Sequence, residues 1–182
     1  MKFIPLSLDG AYRVDPEPTK DERGLFARIY CVDEFASVGL YSSWLQCNVS
    51  CSTTRGTVRG LHFQRAPKAE IKLLRCTKGS IWDVIVDLRT ESPTYGNWHG
   101  ELLDEDNRSM LYVPKGFAHG FQTLTNDVEM FYFHSEKFSA PHQHGLIWND
   151  PEVAIKWPIE VTRLSKRDLD LPFLKDLSPI DI

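Results

Sequence analysis

Two short segments concentrate the side chains able to do chemistry. The first, Arg59-Gly60-Leu61-His62-Phe63-Gln64, sets a histidine among apolar neighbours close to an arginine. Imidazole is the side chain best suited to take and return a proton near neutral pH. The second, Pro114-Lys115-Gly116-Phe117-Ala118-His119-Gly120-Phe121, uses a Pro/Gly turn to deliver His119 at the head of an apolar run. A single histidine in such a setting is more often a hydrogen-bonded core residue than a reactive one. Two of them, each carried on a strand, point first to a metal site.

The elements that would position these residues are strands. Short runs rich in Val, Ile, Phe, Tyr and Trp predict strands over 25–31, 43–52, 57–63, 70–77, 80–88, 97–103, 109–113, 119–124 and 128–135. Turn signals such as Arg23-Gly24, Lys78-Gly79 and Asn126-Asp127 separate several of them, a spacing that reads as an all-β sandwich or barrel. Short helices are expected only at 33–38 and in parts of 165–180, while Trp148–Pro151 and Trp157-Pro158 read as loop and packing anchors. Alternation then sorts faces. Lys72, Leu74 and Cys76 share one, opposite Ile71, Leu73 and Arg75. Met130, Tyr132 and His134 share another, as do Trp44, Gln46, Asn48 and Ser50. Polar groups thus recur mid-strand on one side of otherwise apolar strands, as a ligand-holding barrel interior requires.

Composition bounds the rest. The chain of 182 residues is 42% hydrophobic and 25% charged, the mix of one globular domain spanning 1–182. A net charge of −4 argues against a nucleic-acid platform while leaving room for a local cationic pocket. No run is long and apolar enough for a membrane helix, and the start lacks signal-peptide features, so a cytoplasmic protein is expected. Cys31, Cys47, Cys51 and Cys76 form no zinc-type spacing and are expected as reduced, mostly buried thiols.

The spacing of the two histidine segments resembles the two cupin motifs, which commonly supply a metal with an H-x-H pair, a nearby glutamate and a further histidine. Here those places hold His62, Gln64, Lys72 and His119. A protonated amine has no lone pair to donate and repels a cation. The resemblance therefore implies a pocket with a fixed side-chain charge in place of a metal, and no cofactor. A more specific likeness covers residues 20–168. It runs through DERGLF (21–26), QCNVS (46–50), VRGLHFQ (58–64), KLL (72–74), GSIWDVIVDLRTESPTYGNW (79–98), VPKGFAHGFQTL (113–124), WNDP (148–151) and LSKRD (164–168). In number and order these segments resemble the dTDP-4-dehydrorhamnose 3,5-epimerase family, a cupin branch acting on nucleotide-linked 4-keto-6-deoxysugars.

That resemblance implies a cupin-type double-stranded β-helix (a jelly-roll barrel) with short C-terminal helical segments. It also implies roles for particular residues. His62 would be the base, Asp168 the carboxylate that orients it, Lys72 the group at the enolate oxygen and Tyr132 the acid on the opposite face. Arg23, Gln46, Asn48, Arg59 and His119 would bind the nucleotide sugar, with Arg23 on an N-terminal segment exchanged between the subunits of a homodimer. Four further positions depart from the family's usual residues. Arg28 and His144 each stand where glutamate is usual, Phe138 where a second tyrosine is usual, and Arg167 where lysine is usual. Arg28, His144 and Arg167 are expected near the substrate, and Arg28 exchanges an acceptor for a donor. The lost hydroxyl at Phe138 bears on which sugar carbon is reprotonated. Alternatives are a C3-only or C5-only epimerase, an enzyme for CDP- or GDP-linked sugars, a non-catalytic sugar-binding cupin and a metal-dependent oxygenase, the last disfavoured by Gln64 and Lys72.

Overall fold

The computed structural model describes residues 1–178 and Ile180. Thirteen strands dominate it: β1 Lys2–Pro5, β2 Tyr12–Asp15, β3 Thr19–Asp21, β4 Gly24–Phe26, β5 Gln46–Ser52, β6 Val58–Gln64, β7 Lys72–Lys78, β8 Ser80–Asp87, β9 Trp98–Asp104, β10 Met110–Val113, β11 Phe117–Thr123, β12 Val128–His134 and β13 Gln143–Gly145. The helices are α1 Val32–Ser37, the single turn α2 Lys166–Leu169, and two 3₁₀ turns at Ala140–His142 and Leu174–Asp176. One sheet has the order β1-β2-β10-β7-β12-β5 and the other β13-β6-β11-β8-β9, while β3 and β4 form a separate hairpin. All pairings within the sheets are antiparallel. The two sheets form a cupin-type jelly roll.

The near-continuous apolar runs of the central strands follow from burial on both faces. Leu74 and Cys76 of β7 join Ile81 and Ile85 of β8, Phe117 and Phe121 of β11 and Met130 of β12 in one buried cluster. The alternate residues serve outer layers. Leu73 packs with Val14, Met110, Tyr112 and Phe35 of α1. Val84 and Val86 pack with Leu61, Leu146, Val153 and Leu174, beneath Trp98 and Trp157. The loop anchors expected around WNDP are built as hydrogen bonds. Buried Asp150 accepts from the backbone N–H groups of Glu152, Val153 and Leu174, and the Trp157 indole donates to the Trp148 carbonyl.

Several expectations need correction. The strand expected at 25–31 is only Gly24–Phe26. Its apolar remainder enters the aromatic layer around α1, where Ile29 and Tyr30 pack against Phe35. The strand expected from residue 43 begins at Gln46, so Trp44 is not on the interior face and packs with Tyr30, Tyr41 and Phe133 instead. Strands β1, β2, β3 and β13 were not foreseen, being three or four residues long. Of the cysteines only Cys76 is buried, while Cys47 and Cys51 lie exposed on the outward face of β5, at the edge of its sheet. Among the described residues no helix is long and apolar enough to cross a membrane.

Candidate active site

A cavity of about 580 Å³ opens between the sheets. The apolar core forms part of its wall, since Phe121 belongs to both and Tyr132 packs against that core. Pairing register decides which residues meet. His62 of β6 sits directly opposite His119 of β11, but the next partners are Arg59 and Phe121. Three steps along β6 therefore match two along β11, the signature of a β-bulge in β6. That extra residue lets Arg59 and His62, which simple alternation would place on opposite faces, both line the cavity. The bulge coincides with Gly60, whose φ is +128° and whose missing Cβ would lie 2.6 Å from the Gly120 Cα. Only glycine fits that conformation and that contact.

His62 Nε2 lies 2.7 Å from Asp168 Oδ1. Asp168 stands in α2, whose N-terminus is capped by Ser165 Oγ accepting from the Asp168 N–H at 3.1 Å. Its second oxygen accepts from the Gly60 N–H at 3.4 Å. An ionised carboxylate only accepts, so Nε2 carries the ring proton and Nδ1 keeps a lone pair. Burial pushes the His62 pKa below its ordinary value, with the Lys72 and Arg167 charges acting the same way, and Asp168 only partly opposes this. Burial would raise Asp168, but its hydrogen bonds and the His62 ring hold it below the usual carboxylate range. The ring is thus a neutral base beside an ionised partner.

Lys72, at the start of β7, donates to the His62 carbonyl at 3.2 Å and pairs with Glu70 Oε1 at 3.2 Å. Its third N–H remains for a ligand. Tyr132 comes from β12, in the sheet facing His62. Burial and the nearby Asp83 charge raise its pKa strongly, so its hydroxyl stays protonated and able to donate. His119 is held by both oxygens of fully buried Asp83, at 3.0 and 2.9 Å, and meets the Tyr132 ring edge-on at 6.3 Å. Burial raises the Asp83 pKa, and His119 works against it.

The cavity gathers most of the residues singled out in the sequence: His62, Lys72, Tyr132, Asp168, Gln46, Asn48, Arg59, His119, Phe138 and Arg167. Three fall outside it. Arg23 is exposed at the β3–β4 turn and pairs with Asp21 at 2.6 Å, and Arg28 is exposed and pairs with Glu34 at 2.8 Å. His144 is on the wrong face of β13. Its neighbour Gln143 lines the cavity, so alternation turns His144 outward onto the Phe63 ring, 5.9 Å away and stacked. Ser50, Glu70, His134 and Arg163 also line the cavity without having been singled out as site residues. Alternation had already placed Ser50 beside Asn48 and His134 beside Tyr132. Glu70 lies just before β7, and Arg163 is brought in by a bridge to Thr57 in an irregular stretch.

Gln64 is not a ligand in waiting. Its amide donates to the Lys68 and Lys137 carbonyls at 3.0 and 3.3 Å and accepts from the Ser139 N–H at 2.6 Å, tying three loop positions together. Among the described residues, no group of three or more His, Cys, Asp or Glu side chains is placed to hold a metal ion.

The cavity of this cupin-type barrel thus carries an imidazole, a phenol and an ammonium side chain, and comparison with known proteins places the barrel in the class of carbohydrate epimerases. The family model for dTDP-4-dehydrorhamnose 3,5-epimerase matches residues 5–176. The dTDP-4-dehydrorhamnose 3,5-epimerase of Sinorhizobium fredii is 43% identical over 182 residues, covering 97% of this chain and 91% of its own. The dTDP-4-dehydrorhamnose 3-epimerase of Streptomyces niveus is 39% identical, covering 97% of this chain and 85% of its own. The crystal structure of the Bacillus anthracis dTDP-4-dehydrorhamnose 3,5-epimerase with TDP and PPi bound superposes with a TM-score of 0.92 at 45% identity, covering 94% of this chain and 98% of that one. The chain belongs to the dTDP-4-dehydrorhamnose 3,5-epimerase family, and its activity is that of an isomerase acting on a nucleotide-linked 4-keto-6-deoxyhexose.

Proposed function

We propose that this cavity inverts C3, and C5 where the pose allows, of a dTDP-linked 4-keto-6-deoxyhexose by side-chain proton transfer. His62 takes the proton α to the ketone through Nδ1. Asp168 stabilises the imidazolium that forms, and Lys72 donates to the enolate oxygen. Tyr132 returns a proton from the opposite side. General base catalysis of this kind contributes about 10²–10⁴-fold, and one preorganised oxyanion donor about 3–4 kcal/mol. Arg59 and Arg167, with Arg163, supply the cationic edge that suits a diphosphate, while Gln46, Asn48 and His119 bind polar groups of the sugar nucleotide. The observation that carries this reading is the joint held by one residue. The His62 ring is paired to Asp168 at 2.7 Å while the His62 carbonyl anchors the Lys72 ammonium at 3.2 Å. Base and oxyanion donor are thereby fixed relative to each other.

The test is NMR in deuterated water with the dTDP-4-keto-6-deoxyhexose as substrate. Wild type exchanges C3–H. His62→Ala abolishes the exchange, and an Ala variant that exchanges at the wild-type rate removes His62 from the base role. Phe138 bears on the choice of carbon. It is 57% exposed, lines the cavity and brings no hydroxyl, so a carbon facing it must draw its returning proton from elsewhere.

The working unit we infer is a cytoplasmic homodimer of one-domain subunits, each spanning 1–182. The exposed β3–β4 hairpin reaches the neighbouring site there, bringing Arg23 and Arg28 to the nucleotide. Mixing Arg23→Ala with His62→Ala subunits tests the exchange, because one hybrid site would then hold both native residues. Failure of the mixture to recover activity removes the exchanged segment from the account.

A further inference from the structure

Lys72 does not meet Glu70 in isolation. Glu70 Oε2 accepts from His134 Nδ1 at 2.9 Å, while Oε1 faces Lys72 Nζ at 3.2 Å. His134 Nε2 lies 3.3 Å from the Asn48 amide nitrogen, Gln46 Nε2 donates to Asn48 Oδ1 at 3.2 Å, and Gln46 Oε1 accepts from the Phe138 N–H at 3.1 Å. The pairing register sets this up, because β12 places His134 opposite both Lys72 and Gln46.

The direction of this chain is fixed from both ends. The Phe138 N–H can only donate, so the Gln46 oxygen faces it and the Gln46 amine faces Asn48. The Asn48 oxygen is then used, and its amine points at His134 Nε2, which must accept. At the other end a carboxylate can only accept, so His134 Nδ1 carries the proton. Burial would push Glu70 up, but the Lys72 charge and the His134 hydrogen bond bring it down to about 2, so it is ionised throughout. Both ends therefore require the same neutral Nδ1–H form of His134. The ring is also stacked on Tyr132, with centroids 5.9 Å apart and planes 21° apart.

We propose that Glu70 and His134 are positioning residues. Glu70 holds the Lys72 ammonium at the oxyanion position, and His134 ties that carboxylate to the Asn48–Gln46 wall, so that sugar-nucleotide contacts and oxyanion donor are aligned as one unit. This rests on the proposed role of Lys72 and goes beyond it. A carboxylate is required at position 70 because both of its partners are donors. A glutamine there has one accepting end and must lose either Lys72 or His134, with no change in size.

The experiment uses the full-length protein and the dTDP-4-keto-6-deoxyhexose. Glu70→Gln is expected to slow C3–H exchange by about 10²-fold, the cost of a small misplacement of a reacting group, with KM unchanged and the thermal midpoint lowered, because a buried ion pair loses one of its charges. Combined with Lys72→Met it should add nothing to the loss from Lys72→Met alone, as expected when one residue acts through another. Glu70→Asp, which keeps two acceptors, should recover part of the rate. Nitrogen-15 spectra of the wild-type histidines should show His134 as the Nδ1–H tautomer. Full exchange by Glu70→Gln beside an inactive Lys72→Met overturns the positioning role and leaves the proposed function standing. Full exchange by Lys72→Met removes Lys72 from the oxyanion role on which the proposal rests. Should Glu70→Gln not fold, the wild-type spectrum decides, since an Nε2–H ring at His134 refutes the proposal unaided.

Discussion

Replacing Asp168 by Asn tests the dyad more sharply than deleting either member. The change is isosteric, and the Asp168 side chain is 5% exposed, so solvent does little to soften it. Two losses combine. A hydrogen bond to a charged group contributes about 1.5–3 kcal/mol, which is roughly 10- to 150-fold in rate. The second loss concerns the proton. Asp168 accepts from both His62 Nε2 and the Gly60 N–H, and Asn keeps one acceptor. With its oxygen kept by Gly60, its amine donates to Nε2 and drives the ring proton onto Nδ1, the nitrogen that must accept. In a serine-protease triad the same change of tautomer costs about 10⁴-fold. The Gly60 contact is long at 3.4 Å, so both amide orientations are populated and the expected loss lies between, at about 10²–10⁴-fold. Deuterium uptake at C3, followed by proton NMR with a saturating dTDP-4-keto-6-deoxyhexose, measures it directly. An Asn variant exchanging within about tenfold of wild type would show that the carboxylate neither sets the tautomer nor stabilises the imidazolium.

Four further outcomes are expected. Tyr132→Phe slows net inversion while retaining C3–H exchange, because it removes the returning acid and leaves the base; unchanged inversion in a stereochemical NMR assay takes Tyr132 out of that role. The kcat profile has an acid limb whose midpoint lies below 6.5, because the reactive ring must be neutral, burial depresses its pKa and activity is lost only as pH falls through that depressed value; a midpoint above 6.5 contradicts the sign of the burial effect. Gly60→Ala puts a methyl group 2.6 Å from the Gly120 Cα and 2.9 Å from the His119 carbonyl, in a conformation unfavourable to alanine. It should destabilise the fold by about 2 kcal/mol or more, read as a lowered denaturation midpoint. Phe138→Tyr restores a hydroxyl at the cavity wall and should change the ratio of net inversion at C5 to that at C3, so an unchanged ratio in a stereochemical NMR assay separates Phe138 from the choice of carbon.

Much of this site was legible because strands have a short period. Once 70–77 and 128–135 were read as strands, Lys72 and Tyr132 had to fall on defined faces, and the structure puts both on the cavity. What escaped was whatever depends on breaks in that period or on pairings between distant segments. Arg59 and His62 share a wall only because β6 carries an extra residue, whose one local signal is a glycine, Gly60, inside the strand. His144 was placed by motif position, whereas one step along β13 turns it away from its cavity-facing neighbour Gln143. Asp168 reads as an ordinary surface aspartate until a one-turn helix, too short to show periodicity, is capped against β6. Glu70, read at the head of a strand 70–77, lies just before β7, and its bond to His134, 64 positions away, depends on a pairing of distant strands that alternation does not give.

Gln64 has a bearing on how this scaffold can change. Installing a metal would take more than trading the ammonium of Lys72 for a lone pair. Any donor introduced at position 64 would cut the Ser139 N–H and two loop carbonyls adrift, each at about 1–3 kcal/mol if left unsatisfied. The amide braces the rim, so a metal ligand at position 64 would have to come with new partners for all three loop groups.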